Sequence, residues 1–201
     1  MQTLAASRGR PGRVIVIAGP DGVGKTTLAR ALVACLSPDR AVARFHQRPS
    51  ILPTRTRQPV TEPHRVPAYG GALSLCKAAY LFADIWLGWR AKVGPFVRRG
   101  GWVIIERGWW DVVVDPQRYR IDLPAATLRL FARRLPRPDL MVILELAPEA
   151  LAQRKAELPL TELARQMQSW RAVATPTRLL YLDGTRNTTE ITRRVLEEVE
   201  S

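Results

Sequence analysis

The feature that most constrains this chain is an unbroken apolar run, Val14-Ile15-Val16-Ile17-Ala18, that passes directly into Gly19-Pro20-Asp21-Gly22-Val23-Gly24-Lys25-Thr26-Thr27. Strong helix formers follow as far as Leu36, where Ser37-Pro38-Asp39 stops them. A short run rich in β-branched residues and bounded by glycine is the pattern of a parallel strand buried on both faces. The nine residues after it fit G-x-x-x-x-G-K-[ST], with Gly22 as an additional glycine. Glycines let the backbone take turns whose N–H groups converge on phosphate oxygens, and the next helix brings its positive end to the same place. In such a loop Gly19, Gly22, Val23, Gly24, Lys25, Thr26 and Thr27 hold the phosphates of ATP, Lys25 reaches the terminal ones, and the Thr26 hydroxyl is offered to Mg²⁺.

The rest of the chain alternates in the same manner. A weaker strand is expected at Ala41–Phe45, a long apolar helix over Leu73–Val97 apart from Gly88 and Gly94, and buried strands at Trp102–Ile105 and Leu140–Leu144. The first of these buried strands delivers Glu106 and Arg107 at its carboxyl end. An irregular stretch over Gly108–Pro124 and a helix over Ala125–Leu135 lie between them. Helices at Pro148–Leu158 and Thr161–Ala174, a strand at Arg178–Leu182 and a helix at Thr189–Val199 complete the reading. This order predicts an α/β fold with a mainly parallel sheet. Ligands then sit at the carboxyl ends of the strands. Residues 1–13 read as a flexible basic tail and 14–201 as a single domain, with 47–68 an acceptor-side loop and 148–166 the lid region.

The formal net charge of +13 is almost wholly arginine, because the lysines are only Lys25, Lys77, Lys92 and Lys155. Arginine presents a planar fork that suits phosphate, so the excess fits a polyphosphate substrate, nucleic acid or an anionic surface, or else a solvated surface of scattered charge. No helix-turn-helix, zinc finger or RNA-binding signature accompanies it, which disfavours nucleic acid as a partner. The only cysteines, Cys35 and Cys76, form no metal-ligand or disulfide pattern and are expected as small buried fillers. The short apolar run after Arg13 is no secretory or membrane-spanning segment, so a cytoplasmic protein is expected.

The loop at Gly19–Thr27, with its aspartate, resembles that of thymidylate kinases. Tyr80-Leu81-Phe82-Ala83-Asp84 is similar to that family's buried substrate-side helix, Val103-Ile104-Ile105-Glu106-Arg107 to its strand ending in Asp-Arg, and Leu180-Tyr181-Leu182-Asp183-Gly184 to its last strand. The resemblance covers nearly the whole chain. Two departures fall on the acceptor side: Asp84 is followed by Ile85 and Trp86 rather than arginine, and His46-Gln47-Arg48-Pro49 replaces an Arg-Glu-Pro. Glu106-Arg107-Gly108-Trp109-Trp110-Asp111 is closer to a divergent branch associated with bacterial surface-polysaccharide synthesis. Glu106-Arg107 also looks like the Glu-Arg pair of deoxynucleoside kinases.

What the resemblance implies is a three-layer P-loop NTPase kinase fold, with a five-stranded parallel sheet, helices on both faces and a helical lid, and transfer of the γ-phosphoryl of ATP to a small acceptor, with ATP and Mg²⁺ bound at the loop. Glu106 would hold Mg²⁺ through water together with Thr26, or orient the acceptor. Arg107 would clamp a phosphate, and Asp21 would meet an acceptor hydroxyl. Arg154, with Lys155 beside it in the lid region, would act as an internal arginine finger, since Gly22 leaves the loop without an arginine of its own. His46, Arg48, Asp84, Trp110 and Asp111 are assigned to the acceptor, and Trp109 joins Trp110 as a candidate pocket wall, whereas Trp86 and Trp89 suit the core. Asp115, Arg118 and Arg120 are weaker candidates for acceptor contact. A phosphorylated acceptor needs arginines more than a base, whereas a neutral hydroxyl would call on Asp21 or Glu106 as the base. A third alternative is a nucleic-acid-associated ATP-binding protein without kinase activity. A homodimer is left open.

Overall fold

The apolar runs become the inner strands of one sheet. The computed structural model describes residues 11–53, 66–154, 159–173 and 178–201. In chain order these form β1 (Val14–Ala18), α1 (Lys25–Leu36), β2 (Val42–Phe45), α2 (Gly71–Gly88), a π-helical turn Trp89–Val93 running into α3 (Gly94–Arg98), and β3 (Trp102–Glu106). There follow α4 (Trp109–Val114), a 3₁₀ turn Gln117–Tyr119, α5 (Ala125–Ala132), β4 (Leu140–Glu145), α6 (Pro148–Arg154), α7 (Leu160–Arg171), β5 (Arg178–Asp183) and α8 (Thr188–Glu200).

The five strands are all parallel in the order β2-β3-β1-β4-β5. Ile15 of β1 pairs with Ile104 on one side and Leu140 on the other, so β1 is central. Side chains alternate across a strand, and both sets are apolar here because helices lie around the sheet. Val14, Val16, Val103, Ile105, Met141 and Ile143 join a core with residues of α2, α4 and α5. Ile15, Ile17, Ile104, Val142 and Leu144 join another with residues of α1 and α8. From β1 the chain goes first to the β2–β3 side and only later to β4 and β5. Such divergence opens a crevice at the carboxyl end of the central strand, where Gly19 begins.

Burial reshaped several expectations. The stretch Gly108–Pro124 is not wholly irregular: it holds α4 and the 3₁₀ turn, because Trp109, Trp110, Val112 and Val114 are drawn into the core. Trp109 is 0% exposed, stacks edge-on to Phe82 at 5.8 Å and donates its indole N–H to the Leu128 carbonyl at 2.7 Å. Trp109 and Trp110 are therefore packed as core side chains. Trp89 is buried as expected, and Trp86 is half-buried under Arg90.

The long helix runs straight through Gly88 into the π-turn, and the glycine serves contact rather than termination. A Cβ there would lie 1.5 Å from the Pro49 carbonyl oxygen. The cysteines are both exposed. Cys35 falls between the buried positions Leu32 and Leu36 of α1, and Cys76 between Ser74 and Ala78 of α2, on the outward arc of each helix. Trp102 carries a buried indole N–H that has no hydrogen-bond partner among the described residues. Among the described residues no helix is long and apolar enough to cross a membrane. Of the acceptor-side loop, 54–65 lies outside the described residues, as do 155–158, where the first lid helix was expected to end.

Candidate functional site

The loop between β1 and α1 is built on left-handed glycines. Gly19, Gly22 and Gly24 have φ of 131°, 84° and 104°, conformations that cost an ordinary residue roughly 1–2 kcal/mol each. The first helical bond runs from Leu28 N to Gly24 O at 3.1 Å, so the amides of the first turn have no helical acceptors and carry the positive end of the helix dipole. Lys25, at 7% exposure, folds back so that its ammonium donates to the Gly19 and Pro20 carbonyls, both at 2.7 Å. Burial lowers its pKa, against the opposing pull of Asp21 and Asp111.

Glu106 ends β3 beside this loop, at 1% exposure. The Thr26 hydroxyl donates to its Oε2 at 2.6 Å, Arg44 Nε donates to Oε1 at 2.6 Å, and His46 Nδ1 lies 3.1 Å from Oε2. Burial alone would raise the carboxyl pKa, but the Thr26 and Arg44 hydrogen bonds overcome it and hold Glu106 below the usual range. Because Thr26 spends its proton on Glu106, its oxygen lone pairs are left for a cation. The two form an oxygen-only pair, which fits Mg²⁺, a hard ion ordinarily held by one or two protein oxygens plus substrate phosphates. No group of three or more His, Cys, Asp or Glu residues able to hold a metal exists among the described residues.

Asp21 is gripped from several sides. Arg107 donates to Oδ1 at 2.6 Å, Arg118 donates to Oδ2, and Lys25 lies 3.5 Å away. Arg107 itself sits at φ 66°, a left-handed conformation unusual for an arginine, and its N–H donates to Ile17 O at 3.1 Å. Strain of this kind clusters where a side chain must be aimed. Asp111 accepts the Gly108 N–H at 2.8 Å, and burial raises its pKa despite Lys25 and Arg107 nearby.

No protein-family model matches the chain, and no curated protein matches it.

Several residues assigned from sequence do meet around the loop: Asp21, Lys25, Thr26, Glu106, Arg107 and His46 are joined by the contacts above. Arg48 and Asp84 meet each other instead. Asp84 is 0% exposed and accepts from Arg48 Nε, Ile51 N and Leu52 N, each at 2.8 Å. This pair staples the segment after β2 onto α2, so both side chains serve the wall of the site. Trp110 is in the core, and Arg154 closes α6 with its side chain outside the described residues. Arg44, which clamps Glu106, escaped the sequence reading; its only signal was a charged residue inside Val42-Ala43-Arg44-Phe45. A separate cavity of about 540 Å³ opens at the carboxyl ends of β4 and β5, lined by Glu145, Pro148, Met167, Arg171 and Thr185 among others.

Proposed function

We propose that this protein is an ATP-dependent phosphotransferase with a thymidylate-kinase-like, P-loop kinase arrangement, acting on a phosphorylated small molecule such as a nucleoside monophosphate. The observation that carries the reading is the left-handed glycine loop opening α1, with Lys25 at its mouth and Thr26 hydrogen-bonded to Glu106 on the neighbouring strand. In the reaction the bond from the γ-phosphorus to the β–γ bridging oxygen breaks as an acceptor oxygen bonds to that phosphorus. Loop amides and Lys25 neutralise the phosphates, which is most of what such a transfer requires. Thr26, with Glu106 behind it, would hold Mg²⁺, which when bound supplies charge neutralisation between the phosphates. Arg107 is aimed at the same region by its strained backbone.

The state of the carboxylates favours a phosphorylated acceptor over a neutral hydroxyl. A phosphate monoester is already largely ionised at neutral pH and needs no base. Of the two candidate bases, Glu106 accepts hydrogen bonds on both oxygens and is held below the usual carboxylate range, which makes it a poor proton acceptor, and Asp21 has an arginine on each oxygen. The nucleic-acid alternative gains little, because many surface arginines are spent on carboxylates, as in Arg178–Glu198 and Arg186–Glu190.

The test is Mg²⁺-dependent ATP turnover against phosphorylated and unphosphorylated acceptors. Saturation by a phosphorylated acceptor is expected, and Lys25→Met should lower turnover by at least about 10²-fold. Turnover unchanged in Lys25→Met would remove the loop from the reaction.

A further inference from the structure

Positive charge around the site is of two kinds. Arg44, Arg48, Arg107 and Arg118 each meet a carboxylate: Glu106, Asp84, and Asp21 for the last two. Lys77 and Arg120 meet none among the described residues. Instead both are gathered on one ring: the Lys77 ammonium lies 4.9 Å from the Tyr69 ring centroid and the Arg120 guanidinium carbon 4.1 Å from it. Burial first, then repulsion from Arg120 and Arg48, lowers the Lys77 pKa.

This convergence is built by the backbone. Tyr69 bridges to Ile121 in parallel fashion and its N–H donates to Arg120 O at 3.1 Å. Ser74 donates to the Tyr69 carbonyl and accepts the Asp122 N–H at 2.8 Å. Gln117 reaches Val66 O at 3.1 Å, Arg120 Nε reaches Pro67 O at 3.1 Å, and Arg120 holds a left-handed φ of 55°. Lys77 lies one turn beyond Ser74 on a stripe of α2 that also includes the buried Leu81 and Asp84. Cation–ring contacts are worth about 0.5–2 kcal/mol, and two like charges brought together oppose them. A fixed scaffold that gathers charge with no carboxylate partner among the described residues suits an anionic ligand, which a guanidinium fork and an ammonium point charge recognise jointly.

We propose that Lys77 and Arg120, gathered on Tyr69, form a subsite for the phosphate monoester of the acceptor. In calling the ligand an acceptor, this rests on the phosphotransferase reading. Arg118, two residues before Arg120, contacts Asp21 of the phosphate loop, so the segment around the 3₁₀ turn joins this subsite to the loop.

Amine acetylation of the full-length protein, mapped by mass spectrometry, resolves the question because the chain has only four lysines, Lys25, Lys77, Lys92 and Lys155. Inorganic phosphate is the probe, with acetate and chloride at equal ionic strength as controls, and a non-hydrolysable ATP analogue with Mg²⁺ occupies the loop. Phosphate should protect Lys77 while leaving Lys92 reactive, and Arg120→Met should weaken that protection by about tenfold or more, the loss of one charge-assisted hydrogen bond. Equal protection by acetate or chloride, unprotected Lys77 in the unaltered protein, or full protection in a folded Arg120→Met variant would each overturn the subsite. Lys25 reports separately: if the analogue leaves it unprotected, the phosphotransferase reading fails, whatever Lys77 does.

Discussion

Asp84 and Asp111 are both buried carboxylates beside the site, yet their surroundings push them in opposite directions. Burial raises Asp84, but Arg48 and the Leu52 and Ile51 amides more than reverse it, and its pKa ends below the ordinary value. Its stabilising contribution is therefore present above the unfolded pKa, near ~3.9, and is lost as pH falls through the lower folded value. Asp84→Asn should cost about 1.5–3 kcal/mol at neutral pH, with the gap to the unaltered protein closing in acid, read from urea midpoints at stepped pH. For Asp111 burial wins and the pKa is raised. Its contribution is full below the unfolded pKa and is lost as pH rises through the higher folded value. Asp111→Asn keeps an acceptor for the Gly108 N–H and should match the unaltered protein in acid but exceed it in stability at neutral pH. Lower stability of that variant at neutral pH would mean that Lys25 and Arg107 outweigh burial. At this scale Lys25, Thr26 and Glu106 were legible because their chemistry is tied to a contiguous motif or a strand end. Arg44 and Lys77 were not, since their partners are 62 residues away in sequence in one case and a tyrosine ring on a loop in the other.

Among the elements, α2 shows how one contact decides a sequence signal. Gly88 and Gly94 read as interruptions of a helix, yet the helical path continues through both, and Gly88 is where the Pro49 backbone is admitted. Gly88→Ala must displace the segment carrying Arg48 and should destabilise by about 1–3 kcal/mol, measured by thermal or urea unfolding, although alanine is the better helix former. A gain in stability would mean that the close approach of Pro49 is not part of the native packing. The indoles of β3 and α4 offer a second contrast. Trp109→Phe removes an indole N–H that is bonded to the Leu128 carbonyl, whereas Trp102→Phe removes one that has no hydrogen-bond partner among the described residues. The Trp109 variant should therefore be the less stable of the two by about 1–3 kcal/mol in urea unfolding, and equal losses would count against the Leu128 bond. Helix α4 itself was hidden in sequence by the glycine and prolines around it, and only packing of Trp109 among Phe82 and Phe131 makes it regular.

For the whole molecule, ligand binding should register as global stability. A Mg²⁺–ATP analogue at 100 times its dissociation constant should add about 2.7 kcal/mol to unfolding, seen as a raised Tm, and Lys25→Met should forfeit it. An unchanged Tm in the unaltered protein would remove ATP as the ligand. The sequence by itself determined the parallel α/β sheet and the place of the loop, because both are written in contiguous stretches: apolar runs of strand length, glycines in a fixed spacing, and the helix after them. It did not determine the sheet order, the core role of Trp109 and Trp110, or which arginines are already spent on carboxylates. Those outcomes depend on long-range pairing and burial. A side chain's charge is visible in one dimension, but whether that charge is compensated is decided only when distant segments meet.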